Sequence, residues 1–315
     1  MPDADPAFRA AVLLGLALPP KAVPARWLYD RRGSELFEEI TAQPEYYPTR
    51  VETALLADIA LALADAVAFG AAVVEFGSGS SAKTPLLLRA ISPAAYVPVD
   101  ISGDFLRAAA ADLGRDFPSL PVLPLEADFT HPVQLPASVS AHRKLGFFPG
   151  STIGNLVPET AVNLLRSFKM TLGVGAQLLI GMDRIKDCDV LARAYDDAAG
   201  ATAAFNCNLL HRINAELDGD IPVDAFRHRA PWNETYSRIE MHLEAMRDVA
   251  FTVAGRPFAM RSGETIHTEN SHKYGPRDAR LLLRAGGWTV RREWTDEADQ
   301  FAILLAEAEP PRFAP

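Results

Sequence analysis

Apolar and polar positions change rhythm twice along this chain. Through about residue 65 the apolar residues recur at helical spacing, interrupted at Pro19-Pro20, Pro24 and Pro48. In SELFEEI, Leu36, Phe37 and Ile40 mark one helical face, and Ser34 is the candidate N-cap. From about 70 to 185, short apolar runs alternate with longer ones. The pattern predicts strands AVVEF (72–76), YVPVD (96–100), PVLPLEAD (121–128), KLGFFPG (144–150) and AQLLIGMD (176–183), with helices over 84–91, 102–113 and 158–172. Repeated strand–helix units with apolar strands imply an α/β fold whose parallel sheet is covered on both faces, with ligands at the carboxyl ends of its strands. After Asp183 the rhythm changes: a helical stretch (189–217) precedes SRIEMHLEAM, VAFTVAG, RPFAMRSG and ETIHTEN, which read as antiparallel strands. A helix over 277–285 then leads into WTVRREWT and QFAILLAE, a closing strand pair that returns the chain to the first sheet.

Composition narrows the classes. The chain has 315 residues, 49% of them hydrophobic, enough for one large or two modest domains. A net charge of −9 without a Lys/Arg block argues against nucleic acid and anionic membranes. Cys188 and Cys207 stand outside any metal-ligand spacing, so no metal and no disulfide framework is expected, and a reducing, cytoplasmic setting fits. The apolar run Ala10–Leu18 follows Asp3 and Asp5, the wrong charge balance for a secretory leader, and reads as an ordinary helix.

The candidate chemistry gathers at strand ends. In EFGSGSS, Gly77 and Gly79 let the backbone approach a ligand where a Cβ would clash, and the following helix start offers N–H groups. Glu75 at the strand end suits a cation or a ribose hydroxyl and repels a phosphate. Asp100 ends the next strand, where nucleoside-binding folds place the ribose acid; the plain alternative is a helix cap beside Ser102 and Asp104. Asp128-Phe129 follows the third strand and can serve an adenine, or be a turn aspartate with a core ring. FFPGSTIGN places Gly150, Ser151, Thr152, Gly154 and Asn155 at the sheet mouth, where a reacting centre would lie; the plain alternative is a loop glycine and a capping asparagine. Tyr29, Tyr46 and Tyr47 can line a pocket or simply pack. In IHTENSHKY, Glu269 and Ser271 can hold an imidazole or an ammonium, or the cluster is a solvated strand–loop junction; His267 and His272 lack a third ligand at metal spacing.

Together LYDRRGSELFEEITAQPEYYPTR, EFGSGSSAKT, PVDIS, EADF, FFPGSTIGN, AYDDAAGATAAFN, RIEMHL and IHTENSHKY resemble, in that order, the S-adenosylmethionine-dependent histidine Nα-methyltransferases of ergothioneine biosynthesis. The resemblance spans about Arg26 to Leu305. It implies a Rossmann-like class I methyltransferase domain (51–184 plus 274–308) and a second α+β substrate domain (8–50 plus 185–273). It implies S-adenosylmethionine as co-substrate, with Gly77 and Lys83 at its methionine end, Asp100 on the ribose and Asp128-Phe129 on the adenine. For L-histidine it implies Asn155 and Tyr195 on the α-carboxylate, Tyr46, Glu269 and Ser271 on the imidazole with Met241 lining that pocket, and Tyr29, Gly150 and Thr152 near the amine. Tyr29, through water, is a candidate proton relay, and Asn155 shares the catalytic role. His272 and Ser81 depart from the commonest family pattern without touching a named contact. A monomer acting on a small molecule is expected.

Two other readings stay open on sequence. A sister methyltransferase acting on tryptophan or a modified tryptophan shares the family resemblance, although an indole would leave Glu269 poorly paired. A nicotinamide-dependent oxidoreductase fits the loose glycine pattern of Gly77, Gly79 and Ala82, but Glu75 would face its pyrophosphate. A binding module that kept the fold without the chemistry is a third.

Overall fold

A computed structural model describes residues 5–79, 83–101 and 103–310. Ser81, Ala82 and Ser102, singled out above, lie outside the described residues. In chain order the helices are α1 (Pro6–Ala17), α2 (Arg31–Thr41), α3 (Tyr47–Asp58), α4 (Ala60–Ala66), α5 (Thr84–Ile91), α6 (Gly103–Asp116), α7 (Pro158–Leu172), α8 (Cys188–Tyr195), α9 (Ala201–Glu216) and α10 (Pro276–Ala285). The first strands are β1 (Lys21–Ala22), β2 (Ala72–Phe76), β3 (Ala95–Asp100), β4 (Leu125–Glu126), β5 (Lys144–Phe148) and β6 (Gln177–Asp183). The rest are β7 (Phe226–Arg229), β8 (Trp232–Asn233), β9 (Arg238–Ala245), β10 (Val249–Val253), β11 (Arg256–Met260), β12 (Thr265–His272), β13 (Trp288–Thr295) and β14 (Phe301–Ala308). The chain divides into two compact units, one of residues up to Tyr47 with Lys186–His272, the other of Pro48–Ile185 with the segment from Lys273 onward.

The second unit holds a seven-stranded sheet in the order β13-β14-β6-β5-β2-β3-β4. β2 pairs in parallel with both β3 and β5, so the order reverses beside β2 and opens a crevice at the strand carboxyl ends. β14 runs antiparallel between β6 and β13, which returns the C-terminal strand pair to this sheet as its pattern predicts. Alternate residues of β2 feed two cores: Val74 and Phe76 pack on one face, Val73 on the other. Burial on both faces explains the unbroken apolar runs. The expected strand over 121–128 shrinks to Leu125–Glu126 and a single bridge at Val122. Pro121 and Pro124 cannot donate to a ladder, which accounts for the loss.

The first unit holds a five-stranded sheet, β1-β12-β9-β7 with β8 on β9, and the separate hairpin β10-β11. Helix α2 is capped by Asp30, whose carboxylate accepts from Gly33 N–H at 2.7 Å; Ser34, the expected cap, lies inside the helix. Pro48 starts α3 instead of breaking a helix, as a proline in a first turn can. The expected helix over 189–217 is two, α8 and α9, parted at Asp196–Gly200. Asp197, buried in that break, accepts from the N–H groups of Ala201 and Thr202 at 2.8 and 2.7 Å. Burial pushes its carboxyl up, but hydrogen bonding from Thr202 and Ala201 outweighs this and leaves its pKa lowered.

A carboxyl whose pKa is lower folded than unfolded stabilises the fold above its unfolded value and loses that effect as pH falls through its folded value. Asp197→Ala is therefore expected to cost about 1 kcal/mol near neutral pH, the scale of a helix cap. The gap between wild type and variant in urea unfolding should close below about pH 4. A gap independent of pH would contradict the capping role.

Among the described residues no helix is long and apolar enough to cross a membrane.

Candidate active site

The sheet unit carries the glycine turn. Gly77 and Gly79 both adopt positive φ, 71° and 41°. Gly77 N–H donates to Val99 carbonyl at 2.8 Å, stitching the turn to β3. A Cβ at Gly77 would touch the Phe129 ring at 3.4 Å, and the positive φ there is what makes glycine the unstrained residue. Asp100 ends β3 half-buried, and its carbonyl accepts from Ala127 N–H at 3.0 Å. A turn with glycines at 77 and 79, an acid at the next strand end and an aromatic ring fit a nucleoside-bearing ligand.

Glu75 precedes that turn at the end of β2. Its carboxylate is buried and accepts from Thr84 Oγ1 at 2.6 Å and the Tyr96 phenol at 2.7 Å, within the fold. The acid after the apolar run thus ties β2 to β3 and α5 through its Oε2. Asp128 is exposed; one of its oxygens accepts from Thr130 N–H at 2.9 Å and Thr130 Oγ1 at 2.6 Å, as a turn aspartate does. Phe129 meets Phe76, Phe148 and Phe168 with ring centroids 6.1–6.4 Å apart, which anchors its ring in the core.

Lys83 forms an ion pair with Glu52, whose side chain is 2% exposed. Glu52 also accepts from Gly150 N–H through both oxygens, at 3.0 and 2.8 Å. A Cβ at Gly181 would fall 2.0 Å from Glu52, so that glycine makes room for the carboxylate. Glu52 thereby joins the segment after the glycine turn to the PGSTIGN turn. Nothing in the sequence marked it beyond its place in a helix after YYPTR. In that turn Gly150 and Ser151 are both left-handed, φ 83° and 54°. Ser151 is held there by accepting Asp183 N–H on its Oγ at 2.9 Å. The chain then makes a 3₁₀ turn over Thr152–Asn155, with Thr152 exposed and Asn155 half-buried. The TENSHKY motif is divided between the units: Lys273 is wholly buried against Asp183 at 2.7 Å, in the sheet unit.

The other unit gathers Tyr29, Tyr46, Tyr195, Met241, Glu269 and Ser271. Glu269 and Ser271 reach the same face of β12 because of a bulge. Up to His267 the strand alternates normally against β9: Ile266 and Leu243 point inward, His267 and His242 outward. The register then skips Thr268, and Glu269 pairs with Met241 and Ser271 with Ile239, all four buried. Without the extra residue Glu269 would point outward. The Tyr29 phenol donates to Glu269 Oε1 at 3.4 Å, and Tyr195 Oη lies 2.6 Å from Ser271 Oγ. Phe37 and Phe205 complete the wall, 5.6 and 5.3 Å from the Tyr29 ring centroid, and Tyr46 stands 6.1 Å from Tyr195. Sequence reading missed Phe205 as a site residue and took Phe37 as packing only; each sits on an ordinary helical face.

Tyr29 as a residue is 39% exposed, but its hydroxyl turns inward to Glu269. Burial of that hydroxyl, then the Glu269 carboxylate, Tyr46 and Tyr195, raise its pKa well above that of a free phenol. It stays protonated at neutral pH and donates to Glu269, which makes it a poor resting base. The cluster thus offers a carboxylate and a hydroxyl pair, both oriented by phenols, inside an aromatic enclosure. Such an arrangement can pair two nitrogens of one ring and tolerate a cation.

The family model for histidine-specific, S-adenosylmethionine-dependent methyltransferases matches residues 8–308. The histidine N-alpha-methyltransferase of Mycolicibacterium smegmatis is 40% identical over 96% of this chain and 96% of its own length. Its counterpart in Mycobacterium tuberculosis is 40% identical over 95% of this chain and 94% of its own. Ergothioneine biosynthesis protein 1 of Neurospora crassa is 29% identical over 92% of this chain, which spans 33% of that longer protein. Matched along nearly all of its length by the model and at that identity by two relatives, the chain belongs to the S-adenosylmethionine-dependent, histidine-specific methyltransferase family.

Proposed function

We propose that this chain methylates the α-amine of L-histidine up to N,N,N-trimethylhistidine, a step of ergothioneine synthesis. The observation that carries the reading is the bulge at Thr268, which brings Glu269 and Ser271 to one buried face, each against a tyrosine. Glu269 accepts from one imidazole N–H, and Ser271, whose hydroxyl Tyr195 orients, meets the second nitrogen. A site built this way rejects side chains that leave its polar groups unpaired. An indole has one ring nitrogen and would satisfy only half of it.

S-adenosylmethionine, when bound, supplies a methyl on a sulfonium, an electrophile whose leaving group departs without a proton. Gly77 and Lys83 would hold its methionine end, Asp100 its ribose, and Asp128-Phe129 its adenine. Asn155 and Tyr195 take the α-carboxylate of histidine, with Gly150 and Thr152 near the amine. The amine attacks only when neutral, so each methylation releases one proton. With Tyr29 held protonated, that proton leaves to water, and alignment and desolvation carry the rate. The third transfer creates a permanent cation, which the faces of Tyr29, Phe37 and Tyr46 can stabilise. The enzyme acts as a monomer in the cytoplasm.

An amino-acid panel with S-adenosylmethionine, read by mass spectrometry, tests the reading. Histidine should gain three methyls while tryptophan and phenylalanine gain none. Turnover of tryptophan in preference to histidine would reject it.

A further inference from the structure

Beneath the Glu269–Ser271 face lies a buried polar chain with no direct part in the chemistry above. Asn206 on α9 is wholly buried, an unusual place for a primary amide unless every group is matched. Its Nδ2 donates to His228 Nδ1 at 2.9 Å and to the His242 carbonyl at 3.1 Å. Its Oδ1 lies 2.7 Å from Thr268 Oγ1, which is also 3.0 Å from the Met241 carbonyl. The single hydroxyl proton serves one of these oxygens at a time. His228, accepting at Nδ1, must carry its proton on Nε2, which donates to the Tyr195 carbonyl at 2.7 Å. On the other face of the strand, His267 Nε2 lies 3.0 Å from the Glu269 carbonyl. One chain of hydrogen bonds therefore runs from the backbone of Tyr195 to the extra residue of the bulge, and a second contact closes the bulge from outside.

The hydrophobic alternative at these positions is instructive. Residue 268 points into an interior where valine has nearly the same shape and no polar atom to satisfy. Nothing about packing alone asks for a hydroxyl, an amide and an imidazole in series there. What the series does is fix two backbone positions whose side chains form the Tyr195–Ser271 and Glu269 pairs.

We propose that Asn206, Thr268 and His228 are positioning residues that set the selectivity of this site by locking the bulge before Glu269 and the end of α8 at Tyr195. The inference rests on the reading of Glu269 and Ser271 as imidazole partners. Loss of the lock lets β12 slip toward regular alternation, which turns Glu269 away from the site.

The test is a double-mutant cycle on histidine affinity, measured by calorimetry at saturating S-adenosylhomocysteine. Thr268→Val should weaken histidine about tenfold while leaving S-adenosylhomocysteine within about twofold of wild type. Thr268→Ser, which keeps the hydroxyl, should bind histidine within about twofold of wild type. In a Glu269→Ala background, Thr268→Val should add less than about twofold, because its effect passes through the missing carboxylate. Unchanged histidine affinity in Thr268→Val overturns the inference. So does an equal loss in both backgrounds, or a parallel loss of both ligands, each of which marks a merely structural role. A wild-type protein that binds S-adenosylhomocysteine but not histidine would sink the functional reading, and this inference with it. Histidine binding that survives in wild type without the coupled pattern sinks the inference alone.

Discussion

Glu269→Ala is expected to lower kcat/KM for histidine about 100-fold, the scale of one charge-assisted hydrogen bond of roughly 2–3 kcal/mol. The carboxylate is buried on the inward face of β12, so water cannot replace it freely when it is removed. Its loss leaves one imidazole N–H without an acceptor and the Tyr29 phenol without Oε1. S-adenosylmethionine affinity should hold, because the glycine turn, Asp100 and Phe129 belong to the other unit. Steady-state kinetics with calorimetric cofactor binding separates the two effects. A variant whose histidine turnover stays within about tenfold of wild type would place the imidazole elsewhere.

Lys273→Met should unfold the protein far more readily. Lys273 and Asp183 are a buried ion pair, with side chains 0% and 1% exposed and 2.7 Å between them. Truncating one partner takes the counter-charge from the other in the interior, which costs about 3–5 kcal/mol. For a unit of this size that corresponds to a fall in melting temperature of roughly 10 °C. The double variant Lys273→Met with Asp183→Asn removes the stranded charge and should recover a large part of the loss. Asp183 also anchors neighbouring backbone, its N–H donating to Ser151 Oγ and its carbonyl accepting Tyr274 N–H. The single variant should therefore loosen the Gly150–Asn155 turn before the rest of the sheet, visible as faster amide exchange there. A single variant that melts with wild type would show that the pair is not desolvated.

The sheet unit was largely legible in the sequence because its strands are buried on both faces. Runs such as AVVEF and AQLLIGM have few other uses, and positive φ at Gly77 and Gly79 matches the residue type that tolerates it. Less was legible where one residue serves a distant one. Glu75 reads as a strand-end acid, and only the folded chain shows Thr84 and Tyr96 donating to its Oε2. Glu52 reads as one more helical acid, and only the folded chain brings it to Lys83 and Gly150. The bulge is the sharpest case. Simple alternation through ETIHTENS would place His267 and Glu269 on one face, and the composition of the segment does not say that Thr268 is skipped. Its position depends on Asn206, more than sixty residues earlier in the chain, which no local pattern can show. Family resemblance supplied Glu269 and Ser271 as a pair; the geometry supplies the reason they can act as one.

These dependencies also explain why Tyr29 is better read as a partner of Glu269 than as a base. A phenol buried beside a carboxylate holds its proton more tightly.

The most direct measurement is to supply histidine with S-adenosylmethionine carrying a ¹³C methyl and locate the label in the product by NMR. The account predicts three labelled methyls on the α-nitrogen and none on the imidazole. Label on a ring nitrogen would contradict it, because the ring would then face the donor and the amine would lie against Glu269 and Ser271.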